Sequence, residues 1–214
     1  MSVNRQVHPI EAESYSILRS RVDLSHMPPF SRAVAERVIH ASADLDYATD
    51  LVIDDAAVAA AVEALANGAP IITDVAMVAS GITARRTLCR ISDPITTRLA
   101  RSAGITRSAA AVRLAHSDAG PGAVWVVGCA PTALEEIIAR RVRPALVIGL
   151  PVGFVGAAES KAALRDSGLP QVSNISEKGG SAVAAAAVNA LLYGPDGTGV
   201  TSDADDTSAA GAVE

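Results

Sequence analysis

Two short apolar runs, GAVWVVG at 122–128 and PALVIGL at 144–150, stop at glycine or proline and give way at once to helix-forming sequence. Such a run is too short for a buried helix, and turn residues on both sides mark it as a strand buried on both faces. APIIT at 69–73, TLCRI at 87–91 and, more weakly, PQVSNI at 170–175 repeat the pattern. Helical spacing fills the gaps, near 94–103, 107–116, 131–141, 157–167 and 179–192. Three more helices come first: 8–21, Phe30 to Ala41 with a stripe of Phe30, Val34, Val38 and Ala41, and 55–66, closed by Asn67-Gly68. Strands alternating with helices predict an α/β fold, a mostly parallel sheet with helices on both faces.

At 214 residues the chain suits a single domain. Aromatic residues make up only 3%, so Ala, Val, Leu and Ile must fill the core. Residues 1–193 are read as the α/β domain. Residues 194–214, GPDGTGVTSDADDTSAAGAVE, offer little apolar area to offset ordering entropy and are expected to form a disordered acidic tail. That tail holds five of the acids and no Lys or Arg, which leaves the rest formally neutral against a net charge of −5. A neutral body without a basic run gives no footprint for nucleic acid. The first residues lack the pattern of a secretory segment and no apolar stretch is long enough to span a membrane, so a soluble cytoplasmic protein is expected. Cys89 and Cys129 sit in strand-like surroundings and are expected to be buried free thiols.

In an open parallel sheet, ligands bind outside the carboxyl ends of the strands. The loops there are rich in glycine: Asp74 to Thr83, Gly128-Cys129-Ala130-Pro131-Thr132, Leu150 to Gly156, and Ser176 to Ser181. Several lead into helices, whose free first-turn amides can hold carboxylates or phosphates. Thr132 and Glu135 have capping-box spacing, and Asp93-Pro94 marks a helix start. Neither a phosphate-binding P-loop nor a dinucleotide fingerprint occurs, and no His or Cys pair has metal-ligand spacing; no cofactor and no metal are expected.

RVIHASADLDY at 37–47 places His40 in the last turn of a predicted helix, at the flank of its apolar stripe. Helix-end carbonyls there favour an imidazolium by ~0.3–1 kcal/mol. From position alone His40 reads either as a helix-end residue or as a proton carrier. A Ser/His hydrolase using Ser14 or Ser181 lacks any G-x-S-x-G elbow. A carrier that binds its ligand without turnover is the non-enzyme alternative.

The stretches HPIEAESYSILRS, VIHASADLDY, APIITDVAMVASGI, ITRSAAAV, VGCAPTALEEI, GLPVGFVGAAESK and KGGSAVAAAAVNALL resemble the precorrin-8X methylmutases of cobalamin biosynthesis, in the same order from about residue 8 to 193. The resemblance implies a flavodoxin-like α/β fold and a homodimer with active sites near the interface. It implies an isomerase that moves a methyl group from C-11 to C-12 of precorrin-8X, giving hydrogenobyrinic acid, or of the cobalt counterpart. It places the catalytic histidine at His40, and substrate contacts at Ser14, Thr83 and Arg107, with the amides of Ser108 and Ala109 beside Arg107. The APTAL and PVGFV loops match as well, which adds Cys129, Gly153, Phe154 and Val155; Tyr15 and Phe154 are candidates to lie against the macrocycle. Two positions depart from the family pattern: Cys129 stands where an Asn is common, and Ser176-Glu177 where an Arg is common.

Truncation after Tyr193 should leave folding and turnover nearly unchanged, because the tail's composition offers no core contact. A thermal melt and an activity assay on the shortened chain check this; a large fall in either would mean that the tail docks.

Overall fold

A computed structural model describes residues 8–194, so the expected tail lies, apart from Gly194, outside the described residues. The elements are α1 (Pro9–Arg21), α2 (Pro29–Ser42), α3 (Tyr47–Asp50), β1 (Leu51–Ile53), α4 (Asp55–Ala66), β2 (Ile71–Thr73), α5 (Ala76–Gly81) and β3 (Thr87–Cys89). They continue as α6 (Pro94–Ala103), α7 (Arg107–Ala119), β4 (Val124–Val127), α8 (Pro131–Ala139), β5 (Leu146–Gly149), α9 (Ala157–Asp166), β6 (Gln171–Asn174) and α10 (Ser181–Tyr193). All five predicted strands form, each shorter than its apolar run because the ends turn out of the ladder.

The sheet runs β1-β6-β5-β4-β2-β3, and every pairing is parallel except that of β1 with β6. Counted among themselves, the five parallel strands have the 2-1-3-4-5 order of a flavodoxin-like sheet. The switch point of that order lies between β2 and β4. β1 and the short helices α3 and α5 were not expected from the sequence. β1 is only LVI between Asp50 and Asp54, too short for periodicity to reveal. It pairs at the edge, Leu51 opposite Asn174.

One face of the sheet is covered by α2, α4, α5 and α10, the other by α7, α8 and α9. Strands β4 and β5 are buried along their whole length, as strands covered on both faces must be. α10 is buried from Val183 to Leu192, and its run of alanines lets it lie between α2 and the strands. The buried face of α2 is Ser31, Val34, Ala35, Val38 and Ile39; Ala41, expected on the stripe, is exposed because the helix turns Val34 and Val38 inward together with their i+1 neighbours. The cysteines also differ from expectation. Cys89 is half-buried on the edge strand β3 and Cys129 is exposed in the loop after β4.

The switch point is closed from within. Asp74, directly after β2, is 3% exposed. Its Oδ1 accepts from the Gly128 amide at 3.1 Å, and its Oδ2 from the amides of Cys129 at 2.9 Å and Ala130 at 3.0 Å. Three donors at the start of α8 are thereby satisfied by a carboxylate from the neighbouring strand. The predicted Thr132–Glu135 capping box does not form; Thr132 Oγ1 instead lies 2.7 Å from Thr106 Oγ1. Burial pushes the Asp74 carboxyl above the usual range while the three amides pull it down. Gly128 is forced by packing at the same place: a Cβ there would sit 2.8 Å from Val78 Cγ2 and 2.9 Å from Ala184 Cβ.

Asp74→Asn keeps the shape but presents an NH₂ group to amides that need an acceptor. Loss of a charge-assisted bond should lower stability by roughly 1.5–3 kcal/mol. Urea unfolding measures this, and a midpoint equal to that of the wild type would show that the three bonds carry no weight.

Candidate active site around His40

His40 lies in the last turn of α2, half-buried. Ser14 Oγ, reaching across from α1, is 2.8 Å from His40 Nδ1. The Tyr15 ring stacks on the imidazole with centroids 4.9 Å apart and planes 11° from parallel. Consecutive residues of α1 thus fix one ring nitrogen and one ring face. Because Ser14 occupies Nδ1, Nε2 is the nitrogen left for a ligand. Burial pushes the Tyr15 phenol above its ordinary range, so it stays neutral at physiological pH. The Arg19 guanidinium stands over the Tyr15 ring at 5.7 Å and pairs with Glu36 through two 2.8 Å bonds.

Arg37, one turn before His40, extends the cluster. Its Nη1 donates to Glu11 at 3.2 Å, and its guanidinium lies over the Tyr193 ring at 4.8 Å. The Tyr193 hydroxyl is 3.4 Å from Thr83 Oγ1. Thr83 therefore belongs to this neighbourhood by way of α10. Sequence reasoning missed Arg37 and Tyr193; the i, i+3 relation of Arg37 to His40 was the available signal.

The end of α2 is tied to the loop after β6. Lys178 Nζ donates to Asp44 Oδ2 at 2.7 Å and to Asp46 Oδ2 at 2.6 Å, which holds the Lys178 ammonium above its ordinary range. This loop follows the carboxyl end of β6, so His40 stands within a turn of the edge where ligands bind. Gly153 donates its amide to the Glu177 carbonyl at 3.1 Å, which joins the PVGFV loop to the same place. Phe154 is 98% and Val155 89% exposed, so neither is a core residue.

Arg107 opens α7 in the opposite helical layer and is exposed. Ser108 beside it is half-buried. The Ala109 amide is given to Thr106 Oγ1 at 3.1 Å, so the cap takes one donor expected for a ligand. The Cys129 amide is likewise taken by Asp74, and burial followed by the Asp74 charge raises the Cys129 thiol. At the two departures from the family pattern, Cys129 and Glu177 are exposed and Ser176 is half-buried, its Oγ donating to Asp50 Oδ2 at 2.7 Å, while the main chain of Cys129 is held by Asp74 and that of Glu177 by Gly153. No group of three His, Cys, Asp or Glu side chains among the described residues is placed to hold a metal ion. Among the same residues no helix is long and apolar enough to cross a membrane.

The family model for precorrin-8X methylmutase matches residues 9–194. The chain is 42% identical over 201 residues to the cobalt-precorrin-8 methylmutase of Salmonella typhimurium, covering 88% of this chain and 96% of that one. It is 44% identical over 200 residues to the precorrin-8X methylmutase of Pseudomonas aeruginosa, covering 87% and 95%. The solved structure of the Thermus thermophilus precorrin-8X methylmutase superposes with a TM-score of 0.77 at 34% identity, over 86% of this chain and 96% of that one. With its sheet order, its His40 cluster and these relatives taken together, the chain belongs to the precorrin-8X methylmutase family of isomerases.

Proposed function

We propose that this chain moves the C-11 methyl group of precorrin-8X, or of its cobalt counterpart, to C-12 in cobalamin biosynthesis, with His40 as proton donor. The observation that carries the mechanism is the Ser14 Oγ–His40 Nδ1 contact of 2.8 Å under the stacked Tyr15 ring. An imidazolium donates its Nδ1 proton to Ser14 and keeps an Nε2 proton for a ring nitrogen of the substrate. Protonation there draws π electrons toward the rearranged macrocycle as the methyl group migrates. The Nδ1–H bond to Ser14 persists after the Nε2 proton has gone, so the ring need not turn between states. The step is an isomerisation: the bond from the methyl group to C-11 breaks as the bond to C-12 forms, and the proton that Nε2 lends to the substrate returns to Nε2 from the product, so that atoms and electrons balance.

The substrate's carboxylates call for forks and amides. Arg107 and the Ser108 amide offer these in one helical layer, His40 the proton in the other, and the exposed Gly153-Phe154-Val155 loop an apolar face for the macrocycle. A homodimer that brings facing copies together would assemble these parts into one site near the interface, in a cytoplasmic enzyme. The hydrolase alternative is disfavoured by Ser14 itself. It sits inside α1, where neighbouring amides are committed to helix bonds, while Ser181, the other serine considered, opens α10 and is not the hydroxyl that meets His40.

His40→Ala should keep its fold, since the buried face of α2 is untouched, and should still bind the macrocycle. Turnover should fall by ~10²–10⁴-fold, the usual size of one general acid contribution. Product formation by folded, ligand-binding His40→Ala protein is the deciding measurement; a wild-type rate there would reduce His40 to a helix-end residue. Binding without turnover by the wild type would favour the carrier reading instead.

Arg107→Ala should weaken binding by one to two decades, from a charge-assisted contact of roughly 1.5–3 kcal/mol. Arg107→Lys should recover only part of this, because a point charge lacks the planar fork. Absorbance titration checks both, and unchanged affinity in the two variants would remove Arg107 from the site.

A further inference from the structure

Lys161, in α9, is fully buried, and among the described residues its ammonium meets neutral hydrogen-bond acceptors. Its Nζ donates to Asn174 Oδ1 at 2.8 Å, to the Lys178 carbonyl at 2.7 Å and to the Ser176 carbonyl. One N–H group ends on the last residue of β6 and the other two on the short loop that follows it. Asn174 is buried beside it and donates through Nδ2 to Asp50 Oδ2 at 2.7 Å and to the Lys178 carbonyl at 3.0 Å. Asp50 Oδ1 in turn accepts from the amides of Ile175 at 3.0 Å and Ser176 at 2.8 Å. Hydrophobic side chains would fill this space without a buried charge. The network instead spends a buried ammonium on the shape of one loop.

That loop is tied both to the loop after β5 and to the segment just past α2. The Glu177 carbonyl holds the Gly153 amide, the Gly180 amide donates to the Leu150 carbonyl at 2.9 Å, and the Lys178 side chain grips Asp44 and Asp46 just past His40. A Cβ at Gly179 would collide with the carbonyl oxygens of Leu150 and Pro151, so the two loops lie against each other along the main chain. We propose that Lys161 is a positioning residue for the methyl transfer: by fixing the carbonyls of Ser176 and Lys178 it sets the 175–180 and 151–156 loops, and through Lys178 the end of α2, in the shape that receives the macrocycle. The inference rests on the functional reading above and adds to it a residue that touches neither substrate nor proton.

Burial pushes the Lys161 ammonium down to about 8; the charged groups that face it are Asp50, Arg165 and Glu177. Above that pH the neutral amine has two N–H donors for three acceptors.

The test compares wild type with Lys161→Met, first without ligand. Amide hydrogen exchange at Gly153, Lys178 and Gly180 should quicken by about tenfold or more in the variant, while the core amides of α10 stay unchanged. With precorrin-8X, KM should rise by about tenfold or more and kcat should change far less, because His40 and Ser14 are intact. Should Lys161→Met fail to fold, the wild type serves alone: loop protection, corrected for intrinsic exchange, should drop as pH rises through 8 while α10 keeps its own. Unchanged loop exchange in the folded variant, or pH-independent loop protection in the wild type, overturns the proposal, as does an unchanged KM. A wild type that binds but never converts precorrin-8X would instead sink the reaction, with the exchange arm still deciding what Lys161 holds.

Discussion

The hold of Asp74 on the amides of Gly128, Cys129 and Ala130 is the contact on which the layout depends. A 2-1-3-4-5 sheet leaves a crevice where the strand order reverses, with the start of a helix pointing amides into it. Many folds of this kind leave those amides for a ligand. Here a buried carboxylate from β2 fills the place, joins β2 to β4 beyond their ladder and fixes the start of α8. The main-chain donors of the Gly-Cys-Ala-Pro-Thr loop are consequently spent inside the protein. The proton donor proposed above stands away from the switch point, on α2 beside α1.

The His40 cluster is built on α2 and α1. α2 packs its Val34, Ala35, Val38 and Ile39 face inward and carries Arg37 and His40 on its flank. α1, with only Leu18 buried, serves less as core than as a support that brings Ser14 and Tyr15 onto the imidazole. Such preorganisation is worth more than the bond energies alone, since the ring keeps one orientation in both protonation states. At the other side of α2, the ion pairs of Lys178 with Asp44 and Asp46 are exposed and contribute little to stability. Their effect is to couple the end of α2 to a loop that a buried lysine has already fixed.

The comparisons and the structure support each other at different levels. Relatives near 40% identity over most of the chain establish the family, and the sheet order supplies the fold that the family name implies. At the two departures from the family pattern, Cys129 and Glu177 carry exposed side chains on backbones held from elsewhere, whereas Ser176 is bonded to Asp50 and so belongs to the frame of its loop.

The alternating apolar runs determined the α/β class, the five parallel strands and most helix bounds, because burial on both faces of a sheet leaves a local mark in composition. His40 and its position near a helix end were also legible, as were the glycine loops at the carboxyl edge. The edge strand β1 was not, since three residues carry no period and its partner lies more than 100 positions away. Nor was the exposure of Cys129, which follows from how Asp74 draws in the backbone and leaves the thiol outside. Nor was the burial of Lys161, which shares its helix face with Ala157, Ser160 and Leu164. What that lysine holds, and that Ser14 faces Nδ1 of His40 rather than open solvent, only the tertiary structure decided. These contacts join residues far apart in the chain, and their distances are set by how the helices pack on the sheet.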